Sequence, residues 1–122
     1  MTRPIREGFH TITPYLTTPE LDGLLRFVTE GLGGVETFRD RAGEGGVHVE
    51  VRIGDSMLMI GKSVRSQHAM LYLYVADPDA SYARALAAGA SSLSGPADTP
   101  DGERRAGVAD SYGNKWYFGR PR

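Results

Sequence analysis

Cysteine is absent from this chain. Disulfide frameworks, thiolate metal centres and cysteine nucleophiles are excluded with it. An excess of one charge is missing too. Fourteen Lys and Arg stand against fifteen Asp and Glu, a net charge of −1 with histidine neutral. A phosphate-backbone binder carries a basic excess, so no nucleic-acid partner is expected. No apolar run approaches the ~18–20 residues of a membrane span, and residues 1–7 lack the apolar stretch of a signal peptide. No membrane partner is expected, and a cytoplasmic location is. What remains is an ordered composition, 40% hydrophobic and 24% charged over 122 residues, which is one domain in length. Sixteen glycines and seven prolines imply many turns. A chain of this size buries roughly two-thirds of its surface, and a shared dimer interface would enlarge that core.

After a loose lead-in over residues 1–8, β-branched and aromatic residues predict a strand over 9–17. Thr18, Pro19 and Glu20 supply a cap, a first-turn proline and an acid for the positive helix end. Leu21, Leu24, Leu25, Val28 and Leu32 then fall on one helical face, which Gly33-Gly34 ends. Strands are predicted at 35–39, 47–53 and 57–60, with a glycine turn at 43–46. Over 47–53, Val47, Val49, Val51 and Ile53 alternate with His48, Glu50 and Arg52. The order then repeats. A strand over 69–76 leads to Asp77-Pro78-Asp79, 59 residues after Thr18-Pro19-Glu20. A helix carrying Tyr82, Ala85 and Leu86 ends at Gly89, and strands follow near 91–93, 104–109 and 115–118. Two copies of strand–helix–strand–strand–strand predict two sheets, each covered on one face by a helix. Their other faces are free to curve around a cavity.

Three segments carry a resemblance: Thr13-Pro14-Tyr15-Leu16, the stretch from Val47 to Ile60 with His48, Glu50 and Gly54-Asp55-Ser56, and the stretch from Ala106 to Trp116 with Asp110 and Gly113-Asn114. Over residues 9–119 the chain resembles the vicinal oxygen chelate superfamily (glyoxalase I, bleomycin-resistance proteins, fosfomycin-resistance enzymes, extradiol dioxygenases), and within it an uncharacterised glyoxalase-like branch. The resemblance implies an α+β fold of two βαβββ modules, about 9–61 and 67–119, forming curved mixed sheets around a cavity in a single domain spanning residues 1–122. It also implies a divalent metal held by four side chains, mostly His and Glu, from the first and last strand of each half. Those positions fall here near Thr13, near Gly61 or Lys62, near Met70 and at Tyr117. Thr, Gly or Lys, Met and Tyr do not make a divalent site. No metal and no cofactor are therefore expected.

Other residues carry the chemistry that is expected. His48 and Glu50 lie ~6.6 Å apart along one strand face, within reach of one metal or of a Glu-oriented His base. The plain alternative is a solvated polar row opposite the valines. His10 and His68, at the starts of the two leading strands, could join them in an unconventional metal set. Tyr15, Tyr72 and Tyr74 share the parity of Thr13 and Met70, so with Met70 and Tyr117 they wall the cavity or simply plug it. Arg105 could receive an anionic group, whereas Arg104 and Arg105 together also read as a solvated strand edge. Trp116 reads as core. Gly61-Lys62-Ser63 ends like a P-loop, but Ser56 stands where the first glycine belongs.

Two functions follow as expectations. One is a homodimeric, metal-free small-molecule binder that sequesters an aromatic or amphipathic ligand on Tyr15, His48, Glu50, Met70, Tyr72, Tyr74, Arg105 and Tyr117. The other is a small lyase or isomerase using His48 and Glu50 as catalytic residues, with or without a divalent metal.

Overall fold

A computed structural model describes residues 4–42 and 46–122. The chain runs β1 (Tyr15–Thr18), α1 (Leu21–Arg26) with a π-helical turn (Phe27–Gly31), β2 (Val35–Ala42), β3 (Gly46–Ile53) and β4 (Ser56–Lys62). It continues through β5 (Met70–Tyr74), α2 (Pro78–Ala87), β6 (Ser91–Asp98), β7 (Glu103–Ala109) and β8 (Lys115–Pro121). Two four-stranded mixed sheets result, ordered β1-β4-β3-β2 and β5-β8-β7-β6. In each, the first strand runs parallel to the last and the other pairs are antiparallel. This is the α+β architecture of two four-stranded sheets that the sequence predicts.

The alternation along β3 decides which way its sheet faces. Val49 and Val51 are fully buried, with Leu16, Leu24, Val28, Leu58 and Ile60, under α1. His48, Glu50 and Arg52 point to the opposite face. In the second sheet Val108, Trp116 and Phe118 are buried with Ala85 of α2. The two helical layers meet, α2 against the π-helical turn, and Arg84 Nε donates to the Glu30 carbonyl at 2.7 Å.

Boundaries differ where backbone hydrogen bonding overrides side-chain pattern. The first strand does not span 9–17; only Tyr15–Thr18 pair with β4. Pro14 has no N–H to donate and joins the sheet only through its carbonyl, which accepts from Met59 N–H at 3.0 Å. The first helix begins at Leu21, and Thr18 Oγ1 accepts the Glu20 N–H at 3.0 Å in a tight turn ahead of it. The second helix starts as its sequence predicts, with Asp77 accepting from Ala80 N–H and Pro78 in the first turn. β6 extends five residues beyond the predicted 91–93. The glycine turn falls largely on residues 43–45, outside the described residues.

Candidate functional site

Each sheet presents its helix-free face with a cluster of polar and aromatic side chains. On the first sheet, His48 Nε2 lies 2.9 Å from Glu50 Oε2, and His48 Nδ1 lies 3.1 Å from the Tyr15 hydroxyl. A carboxylate only accepts, so Nε2 carries the hydrogen of the Glu50 bond, and Nδ1 shares the other bond with the Tyr15 hydroxyl. The second Glu50 oxygen, Oε1, pairs with Arg6 Nη2 at 3.1 Å. Glu50 is 1% exposed, so this is a buried carboxylate held by a histidine and an arginine.

Arg6, assigned to a loose lead-in by its sequence, is thus part of the site. Its guanidinium also lies 4.8 Å from the Phe38 ring centroid and 5.8 Å from that of Phe9. Phe38 reaches this face because β2 carries a bulge: Glu36 pairs with Val51, but Phe38 pairs with Glu50. One extra residue at Thr37 turns Phe38 from the helix side to the acid's side. A hydrophobic alternation cannot register an inserted residue, so Phe38 left no signal in the sequence.

On the second sheet the Tyr72 hydroxyl donates to Glu103 Oε1 at 2.6 Å and accepts from Arg105 Nε at 3.1 Å. Arg105 also pairs with Asp101 at 3.0 Å and lies over the Tyr72 ring at 5.3 Å. Desolvation, then the hydrogen bond to Glu103, raises the Tyr72 phenol above its ordinary 10.0. The Tyr74 ring lies 5.2 Å from that of Tyr72, and Tyr117 lies across Gly107. Met70 is on this sheet too and is exposed.

The predicted residues therefore assemble as two clusters: Tyr15, His48 and Glu50 on one sheet, and Tyr72, Tyr74, Arg105 and Tyr117, with Met70, on the other. Between the modules lies a groove of 520 Å³; Leu71, Leu73, Trp116 and Phe118 line it from the helix-covered side of the second sheet, α2 and the β3–β4 turn flank it, and Tyr72 and Tyr74 reach it around the edge strand β5. His10 and His68 do not join His48 and Glu50; no grouping of three or more His, Asp or Glu suited to a metal occurs among the described residues. Asp110 has a structural role. It accepts from the backbone N–H groups of Tyr112 and Asn114, from Asn114 Nδ2 and from Trp116 Nε1, and so holds the turn that seats Trp116 in the core.

A family model described as Glyoxalase/Bleomycin resistance protein/Dioxygenase superfamily matches residues 8–118. The chain belongs to that superfamily. An uncharacterized protein of Mycobacterium bovis is 28% identical over 125 aligned residues, covering 90% of this chain and 82% of that one. The solved structure of TioX from Micromonospora sp. ML1 has the same fold, with a TM-score of 0.78 at 21% identity, covering 93% of this chain and 99% of that one. The fosfomycin resistance protein FosX from Listeria monocytogenes gives 0.75 at 12%, covering 93% and 94%. Glyoxalase I from Zea mays gives 0.77 at 12%, with 90% of this chain matching 44% of that one.

Membership makes the metal positions a direct question of donor chemistry. Strand register bears on one of them. Met59, two residues before Gly61, stands opposite Tyr15 as Tyr117 stands opposite Tyr72. Thr13, Met59, Met70 and Tyr117 offer no imidazole and no carboxylate, and a divalent ion bound by hard or borderline donors does not fit them. No helix among the described residues is long and apolar enough to cross a membrane.

Proposed function

We propose that this chain is a small-molecule binder that holds an aromatic or amphipathic ligand on its helix-free sheet faces without a divalent metal. The observation that carries the reading is chemical: Thr13, Met59, Met70 and Tyr117, the residues we take for the superfamily's ligand positions, offer neither imidazole nor carboxylate. Around them lie exposed rings, with Tyr15 48%, Tyr72 40% and Tyr74 69% exposed. Tyr72 and Tyr74 also reach, around the edge of β5, the 520 Å³ groove on the helix-covered side of their sheet, a volume within the about 300–1,000 Å³ of small-molecule pockets, so a ligand on these rings can extend into it. Stacking of about 0.5–1.5 kcal/mol per aromatic pair supplements apolar burial, while His48, Glu50 and Arg105 orient polar groups. A fosfomycin resistance protein among the structural neighbours is compatible with a ligand of drug-like size.

The two clusters lie on separate sheets of one chain, so the same reading takes residues 9–61 and 67–119 as two modules of a single domain and places it in a cytoplasmic homodimer whose second copy closes over the open faces. Thermal-shift titration with aromatic amphiphiles in the presence of EDTA tests it. Stabilisation should persist under chelation, and Tyr72→Ala and Tyr74→Ala should each weaken binding about tenfold, roughly 1.4 kcal/mol. Stabilisation that requires an added divalent metal, with one ion per protomer in native mass spectra, would overturn it.

The hydrogen-bonded chain Tyr15–His48–Glu50 favours a second reading, a lyase or isomerase with His48 as base and Glu50 as its orienting acid. In that case His48→Ala should abolish turnover and leave substrate affinity within a few-fold.

A further inference from the structure

The pairing of Arg6 with Glu50 is more than a stray surface contact. Glu50 is among the largest fully buried side chains of the molecule, on the face away from the hydrophobic core. Its carboxylate has two partners, the His48 N–H and the Arg6 guanidinium. His48 donates one hydrogen bond to it. Arg6 supplies a permanent positive charge at 3.1 Å, and it comes from outside the sheet, from a segment that turns back on itself through a Phe9 N–H to Arg6 carbonyl bond. The Arg6 side chain remains 57% exposed while the Glu50 side chain it serves is 2% exposed. The receiving group is rigid and buried; the occupant is peripheral and wet.

Its surroundings are those of a cation receptor. The guanidinium is stacked near Phe38 and Phe9, and aromatic faces attract cations most strongly where water is displaced. Thr37, Phe38, Glu50, Arg52 and Met57 line an open depression of 260 Å³ around the bound Arg6. That volume accommodates an amidinium carried on a small ring.

We propose that the Glu50–Phe38 recess is a binding site for a ligand cation of the amidinium, guanidinium or ammonium class, which Arg6 occupies in cis and which a ligand enters by displacing it. The inference rests on the small-molecule-binding reading and adds the charge of the group taken on the first sheet. A buried carboxylate stripped of its arginine partner is unfavourable, so a molecule that displaces Arg6 is favoured when it brings a positive charge of its own. Neutral or anionic ligands are directed instead to the Tyr72–Arg105 face.

Chemical rescue tests the site, with benzamidine as the probe and benzamide as its neutral near-isostere. Arg6→Ala should lower the melting temperature, and millimolar benzamidine should restore it saturably. Wild type, with Arg6 in place, should bind benzamidine at least tenfold more weakly than Arg6→Ala does. The Arg6→Ala/Glu50→Gln double variant should show no benzamidine response, and Arg6→Ala/Phe38→Ala, which keeps the buried carboxylate, should bind with affinity lowered several-fold. Benzamide stabilising Arg6→Ala as well as benzamidine does, or benzamidine failing to stabilise it, would overturn the cation site. Either result leaves the binder reading standing if neutral aromatics stabilise wild type through Tyr72 and Tyr74. Absence of that stabilisation would remove the binder reading separately.

Discussion

Three tyrosines lie across glycines on the helix-free faces: Tyr15 over Gly61, Tyr72 over Gly119 and Tyr117 over Gly107. Without a Cβ beneath it, a ring can lie flat along the neighbouring strand and bring its hydroxyl to a partner further across. Tyr72 thereby reaches Glu103 and Arg105, and Tyr15 reaches His48. A Cβ at 119 would occupy the place of the Tyr72 hydroxyl. Gly119→Ala should therefore destabilise by about 1–3 kcal/mol, the range for overpacking, and by much less in a Tyr72→Ala background; urea unfolding of the four proteins measures the coupling. At Asp110 the argument is hydrogen bonding. Asp110→Ala leaves buried donors of Asn114 and Trp116 without an acceptor, each at about 1–3 kcal/mol. A loss of about 3 kcal/mol or more is expected, with a change in Trp116 fluorescence in whatever remains folded.

Elements were legible in proportion to how local their causes are. The α2 start could be read because cap, proline and acid are consecutive residues, and Asp77→Ala should cost about 1 kcal/mol. β3 could be read because its two faces differ so sharply in polarity. β1 was over-read, since residues 9–13 have strand-like side chains but no strand to pair with, and the Thr37 bulge was invisible because it depends on the register of two strands. Between elements, Arg104 on β7 grips Asp79 at the start of α2, at 2.8 and 3.0 Å. That hydrogen bond is the main reason the Asp79 carboxyl lies below its ordinary 3.8; Arg39 does the same for Glu36, below 4.5, and Thr99 followed by Arg105 for Asp101. Lowered carboxyl values mean that the unfolded chain binds more protons in this window, so their stabilisation is present above about pH 4.5 and is lost as pH falls through the folded values. Arg104→Gln should flatten the dependence of urea stability on pH below about 4. At the alkaline end the raised Tyr72 phenol works in the opposite sense: stability is full below pH 10 and falls above it, and Tyr72→Phe should remove that part of the loss.

Over the whole molecule, the two modules share one layer of core and leave two aromatic faces open. Facing copies would cover those rings, and the faces differ in character: the first centres on a buried acid, the second on Arg105 beside Tyr72 and Tyr74. Sedimentation equilibrium should return a dimer, and Tyr74→Glu, which introduces a charge on an exposed ring position, should shift it toward monomer without lowering the monomer's helix and strand content by circular dichroism. A wild-type monomer at micromolar concentration would remove the shared-face arrangement.

By itself the sequence determined the duplicated order of elements and the buried and open faces of each sheet. Both follow from residue type and short-range spacing. Tertiary structure decided the rest. It separated the candidate residues into two clusters, set Met59 opposite Tyr15, turned Phe38 to the acid's side and brought Arg6 onto Glu50. Each of these depends on which strand pairs with which and at what register, and on a segment folding back across a sheet. Contacts between residues a dozen or more positions apart leave no periodicity in the chain from which to read them.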